Sequence, residues 1–141
     1  MPRNLAPDIE QMRSDVLRQI DEQAGSTRSF FVSPGALVDA EYMQAQRAVE
    51  RWRAAGESED DVPDEIVSGA EYGDLTYAEV ADEIEQTAGQ FDAVLAAIRR
   101  IRLTHKRAAR EAETPAALAQ ARRSAVAAYA QIRADYAALA G

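Results

Sequence analysis

Few side chains in this sequence could do chemistry, and their spacing does not assemble a reaction centre. There is one histidine, His105, and no cysteine, which removes thiolate catalysis, disulfide staples, Cys-ligated zinc and iron–sulfur ligation from consideration. His105 falls on a stripe of apolar residues with Lys106 and Arg107 beside it, so it reads as a packed residue that could make a helix seam pH-sensitive rather than as a general base. The acids Glu57, Glu59, Asp60 and Asp61 invite a metal reading. They lack the alternating oxygen ligands, the central Gly and the closing Glu of an EF-hand loop, and so read as a solvated acidic turn. Asp82 with Glu85, and Glu79 with Glu83, are spaced for one helix face, but no E-x-x-H partner accompanies them as a di-metal bundle would require. No G-x-S-x-G, H-E-x-x-H, P-loop or dinucleotide fingerprint is present. The expectation is therefore a protein that is not an enzyme, with no catalytic, cofactor-binding or metal-binding residues.

Charge narrows the partner classes. Sixteen Lys and Arg stand against 24 Asp and Glu, for a net charge of −8, which argues against general affinity for a phosphate backbone. Nucleic acid is disfavoured further because no aromatic is interleaved with the bases to stack a nucleotide. No stretch approaches the roughly 20 apolar residues of a membrane span, and the opening "MPRNLAPDIEQMRSDV" lacks the apolar core of a signal peptide, so a soluble chain made in the cytoplasm is expected.

The elements that must position these residues are helical throughout. Pro7 suits a first turn, and Ile9, Met12, Val16 and Ile20 follow at helical spacing up to Gly25, a natural stop, which predicts a helix over 7–24. "STRSFFV", residues 26–32, reads as an extended aromatic connector that plugs Phe30 and Phe31 into the core. Ser33 and Pro34 open a second helix with Val38, Tyr42, Ala45, Val49 and Trp52 on one stripe, ended by Gly56. Residues 57–75 form an acidic linker in which Pro63 begins a short helix closed by Gly73.

The longest periodic segment starts at a T-x-x-E capping box, Thr76 with Glu79. Val80, Ile84, Thr87, Phe91, Val94, Ile98, Ile101 and His105 then alternate steps of four and three, a heptad signature. Continued to Ala112, the helix would be about 55 Å long. Thr114 and Pro115 restart a helix carrying Leu118, Arg122, Ala125, Tyr129, Ile132, Tyr136 and Leu139. The expected fold is all-α, a single domain over 1–141: an elongated helical bundle with a long antiparallel αα-hairpin of coiled-coil character over 76–140. Ala93, Ala96, Ala97, Ala121, Ala125 and Ala128 would let its axes approach closely.

From Glu57 to Ile98 the chain has acids and no Lys or Arg, and from Arg99 to Arg110 it has bases and no acid. The helix dipole accounts for part of this, but it fades within a turn whereas the bases span three. They would form a basic knob at the hairpin tip with Arg122 and Arg123, able to dock on an acidic protein surface or on the acidic region of a neighbouring copy. Arg99, Arg102, Lys106 and Arg107 are accordingly candidate partner-binding residues, together with Phe30, Phe31, Tyr42 and Trp52, since aromatics dominate binding hot spots.

"SPGALVDAEYMQAQRAVERWRAAG", followed by "DDVPDEIVSGAEYGDLTYAEVADEIEQTAGQFDAVLAAIRRIRLTHKRA", resembles small helical proteins encoded among tail and tail-fibre genes of tailed bacteriophages. The shared thread is a Y…A…W helix, a VP.EI turn and a VADEI…(W/F)D…IR.IRL..K helix, over residues 29–110. The resemblance implies a non-enzymatic role, either as a small virion subunit near fibres, receptor-binding or baseplate proteins or as an assembly chaperone, in the virion tail or in the host cytoplasm during assembly. It offers no catalytic motif. The chain lacks the strand-rich front portion of many tail-fibre chaperones. The alternative expectation is a cytoplasmic helical regulator that binds nucleic acid or a protein through the basic tip.

Overall fold

The computed structural model describes residues 8–32 and 36–140, with side chains at 8–31 and 41–140. Pro7, Ser33 and Pro34 lie outside the described residues, as does the side chain of Val38. The fold is all-helical: α1 (Ile9–Val32), α2 (Ala36–Ala54), α3 (Asp64–Gly73), α4 (Tyr77–Glu111) and α5 (Pro115–Asp135), then a closing 3-10 turn at Ala137–Ala140, with no strand among the described residues. The chain sorts into two compact units. A terminal unit takes the described residues of Met1–Phe31 and Val94–Gly141, and a central unit takes those of Val32–Ala93.

In the terminal unit, α1 departs from the expected pattern. It does not stop at Gly25, and residues 26–32 are helical rather than an extended connector. The apolar stripe explains this: Val16, Ile20, Ala24, Thr27 and Phe31 are all buried and step by four or three straight through the glycine. Burial of Phe31 outweighs the roughly 1 kcal/mol that a helical glycine costs. Thr27 is buried without penalty because its Oγ1 donates to the Gln23 carbonyl at 2.7 Å and accepts from Arg133 Nη1 at 3.0 Å.

α1 is the partner that the αα-hairpin expectation omitted. Arg13 Nη1 donates to the carbonyls of Ala109, Ala112 and Arg110 at 2.7, 2.8 and 3.0 Å, so the beginning of α1 caps the end of α4. Further along, Lys106 Nζ donates to Asp21 at 2.8 Å, which makes α1 and α4 antiparallel. On α5, Tyr129 Oη donates to the Ile20 carbonyl at 3.2 Å, and Arg133 reaches Thr27, so α5 runs parallel to α1. Leu118, Ala121, Ala125 and Tyr129 are the buried face of α5. Arg122, placed on the seam by spacing alone, is exposed, and Ala93 and Ala96 are exposed as well.

In the central unit, Val49, Trp52, Ile66, Val80 and Ala81 form the core, with Val62, Ala70, Leu75 and Ile84 packed on it. A Schellman end stops α2: Glu57 N–H donates to the Trp52 carbonyl at 2.9 Å, Gly56 N–H donates to the Arg53 carbonyl at 3.1 Å, and Gly56 has φ +88°. α3 closes on Asp74, in the left-handed region at φ +51°, rather than on Gly73. Gly69 is where α3 meets α4, since a Cβ there would lie 2.8 Å from Val80 Cγ1. The capping box of α4 is formed: Glu79 N–H donates to Thr76 Oγ1, and Thr76 N–H to Glu79 Oε1, each at 3.2 Å. None of the eight stripe residues from Val80 to His105 is exposed.

Candidate protein-interaction surfaces

Formal charge divides between the units. The terminal unit's sequence carries thirteen Lys and Arg against eight Asp and Glu, a net +5, and the central unit's carries three Arg against sixteen Asp and Glu, a net −13. The −8 of the whole chain conceals a basic body and a strongly acidic one.

On the acidic unit, Arg53 is a hub. Its guanidinium donates to Asp82, Glu85 and Glu57, each at 2.7 Å, tying α2 to the start of α4 and to the turn after α2. The bond to Asp82 is the main cause that raises the Arg53 pKa further. The carboxylates Asp82 and Glu85 are thus arms of an ion-pair network, and no group of three or more His, Cys, Asp or Glu side chains placed to hold a metal ion occurs among the described residues. Beside this network lies a groove of about 460 Å³, with Trp52, Leu75 and Tyr77 as its apolar lining and Glu57 and Glu59 at its acidic border. Trp52 is 5% exposed and its Nε1 donates to the Ser58 carbonyl at 3.1 Å, so it organises the acidic turn. Tyr42 is the exposed aromatic of α2, at 45%, and packs against Phe91 with ring centroids 5.0 Å apart. Tyr72, 95% exposed at the end of α3, was not among the expected anchors. Its place in an acidic, Gly-containing segment, away from any apolar stripe, was the available signal.

Comparison with family models, curated proteins and solved structures finds no match.

On the basic unit, the candidate residues separate into two sets. Phe31 is buried and Phe30 is exposed, and the two rings meet edge to face at 5.0 Å. Lys106 is engaged with Asp21, and Arg107 with Glu111 at 3.1 Å, so neither is a bare charge. Arg99 and Arg102 line a groove of about 360 Å³ between α1 and α4 with Arg28 and Asp21, over a floor of Ala24, Leu95 and Ile98. The basic stretch therefore borders α1, whose Asp21 tempers it, and is not a knob projecting from a two-helix tip. His105 Nδ1 lies 2.7 Å from the Ile101 carbonyl; a carbonyl only accepts, so Nδ1 carries the proton. Leu103, half exposed, stands among these bases and was not among the expected binding residues. It lies off the heptad stripe, which is the signal that could have marked it.

Proposed function

We propose that this chain is a non-enzymatic protein-binding subunit of the phage tail. It engages a tail-fibre, receptor-binding or baseplate protein either as a small structural component of the virion or as an assembly chaperone in the host cytoplasm. The observation that carries a binding role is the division of charge, +5 on one compact unit and −13 on the other, alongside exposed Tyr42 and Tyr72 on the acidic one. Opposite potentials on two bodies of one chain steer encounters and fix register with charged partners. The tail as the place of action comes from the sequence resemblance over residues 29–110. An elongated α4–α5 hairpin of coiled-coil character, with α1 packed against it, belongs to this proposal.

The test is the light-scattering mass of the purified protein, alone and mixed with the tail protein encoded beside it. A defined complex that survives moderate salt is the expected result, and two independent monodisperse species would overturn the proposal. The second reading, a helical regulator, draws on the +5 of the terminal unit. It requires salt-dependent binding to nucleic acid that is lost when Arg99, Arg102 and Arg107 are replaced.

A further inference from the structure

We propose that copies of this chain associate head to tail, the Leu103 ridge of one seating in the Trp52–Tyr77 groove of the next. Leu103 is 50% exposed in the basic half of α4, with Arg99 and Arg100 one turn before it and Arg107 one turn after, all exposed. The ridge is thus an apolar knob flanked by the guanidinium groups of Arg99 and Arg100 on one side and by the Arg107–Glu111 pair on the other. The groove is its counterpart: Leu75, Tyr77 and Ala78 give an open depression of about 460 Å³ its apolar part beside Thr76, and Glu59 borders it together with Glu57, which Arg53 also holds. An exposed leucine alone is unremarkable on a protein surface. Here its surroundings match, in polarity and in sign of charge, a slot on the other unit of the same chain.

The charges of the two units, +5 and −13, extend that complementarity beyond the contact itself. Because the two faces differ, the contact is heterologous, and each copy keeps one face unused, so association continues into a ring or a filament. The charges that border the contact are exposed and are screened by salt. Assembly is therefore reversible and strengthens as ionic strength falls.

This inference deepens the protein-binding reading and rests on it. Sedimentation velocity of the full chain at low and high ionic strength tests it, with two altered chains: Leu103→Glu, which spoils the ridge, and Glu59→Lys with Tyr77→Ser, which spoils the groove. Arg100→Glu, an exposed charge reversal on the same face, serves as a second ridge variant, and helical circular dichroism checks the fold of each. The wild type is expected to grow with concentration at low ionic strength and to dissociate at high. Each altered chain alone should self-associate about tenfold more weakly or not at all. An equimolar mixture of a ridge variant with the groove variant should form dimers and stop there, because only one intact interface remains per pair. A wild type that stays monomeric at low ionic strength, variants that assemble like the wild type, or a mixture that stays monomeric would each overturn the inference. If the monomeric chain still captured a tail protein, the broader reading would stand without it.

Discussion

Arg53 Nη2 donates to Asp82 Oδ1 at 2.7 Å, across 29 residues of chain, and the same guanidinium reaches Glu85 and Glu57 at that distance. One cation thereby fastens α2 to the acid-rich first turns of α4, where like charges would otherwise repel. Arg53→Met should lower the urea midpoint, and the deficit should shrink as salt is added, since the wild-type network is screened while the methionine variant has little left to screen. Arg53→Lys should recover only part of the loss, because an ammonium cannot present the planar fork that meets three carboxylates at once. Equal midpoints for wild type and the methionine variant at low salt would remove the hub from the account.

Gly69 and Gly25 are both helical glycines, yet they should respond oppositely to alanine. A Cβ at Gly69 meets Val80 Cγ1 at 2.8 Å, and Val80 is buried and β-branched with little room to turn, so Gly69→Ala should cost about 1–3 kcal/mol. Gly25 is exposed with nothing within 4 Å of its virtual Cβ, so Gly25→Ala should stabilise by about 0.5–1 kcal/mol. Denaturant titration of both variants checks the pair.

Arg13 closes α4 from outside it, through three main-chain carbonyls at 2.7–3.0 Å. Removing it in Arg13→Ala should cost about 2 kcal/mol, since hydrogen bonds from a charged group each exceed the neutral average and the cation also sits at a helix C-terminus. Amide exchange should quicken first at 112–118, where the chain turns into α5. A uniform change across the molecule would mean that the contact is not local.

Tyr129 should hold its proton well into the alkaline range. Burial, which disfavours the phenolate, is the main cause that pushes its pKa up to about 12 from the ordinary 10. The folded chain therefore holds a proton that the unfolded chain has released between those values, so stability is full below pH 10 and falls as pH rises toward 12. Tyr129→Phe should flatten that part of the profile. Unfolding measured on both chains across the alkaline range decides it, and an identical decline in the two would assign the loss to other groups.

Much of the architecture was legible along the chain. The capping box at Thr76 and Glu79, the restart at Thr114 and Pro115, and the inward stripe from Val80 to His105 are local features, set by hydrogen bonds three residues apart and by helical periodicity. Thr114 accepts from the Ala117 amide as its spacing implies. The extent of α1 is not a local property: Gly25 is a helix stop by its own preference, whereas the stripe that continues to Phe31 carries the helix through it.

Which surfaces each helix faces lay beyond the sequence. Spacing placed Arg122 on the seam of α5 with Leu118, Ala125 and Tyr129, but the third helix buries Ala121 in its place. The candidate binding residues divided for the same reason: Trp52 and Phe31 went to the interior, while Tyr42 and Phe30 stayed out. The sequence by itself determined that the chain is helical, where most helices begin and end, and how its charges are ordered. Only the tertiary structure decided that those charges belong to two bodies of opposite sign, that Arg53 gathers three acids and that Arg13 caps a helix 96 residues away. Periodicity and capping act within a turn or two, whereas burial and ion pairing depend on which distant face arrives, and that is chosen by packing of the whole unit.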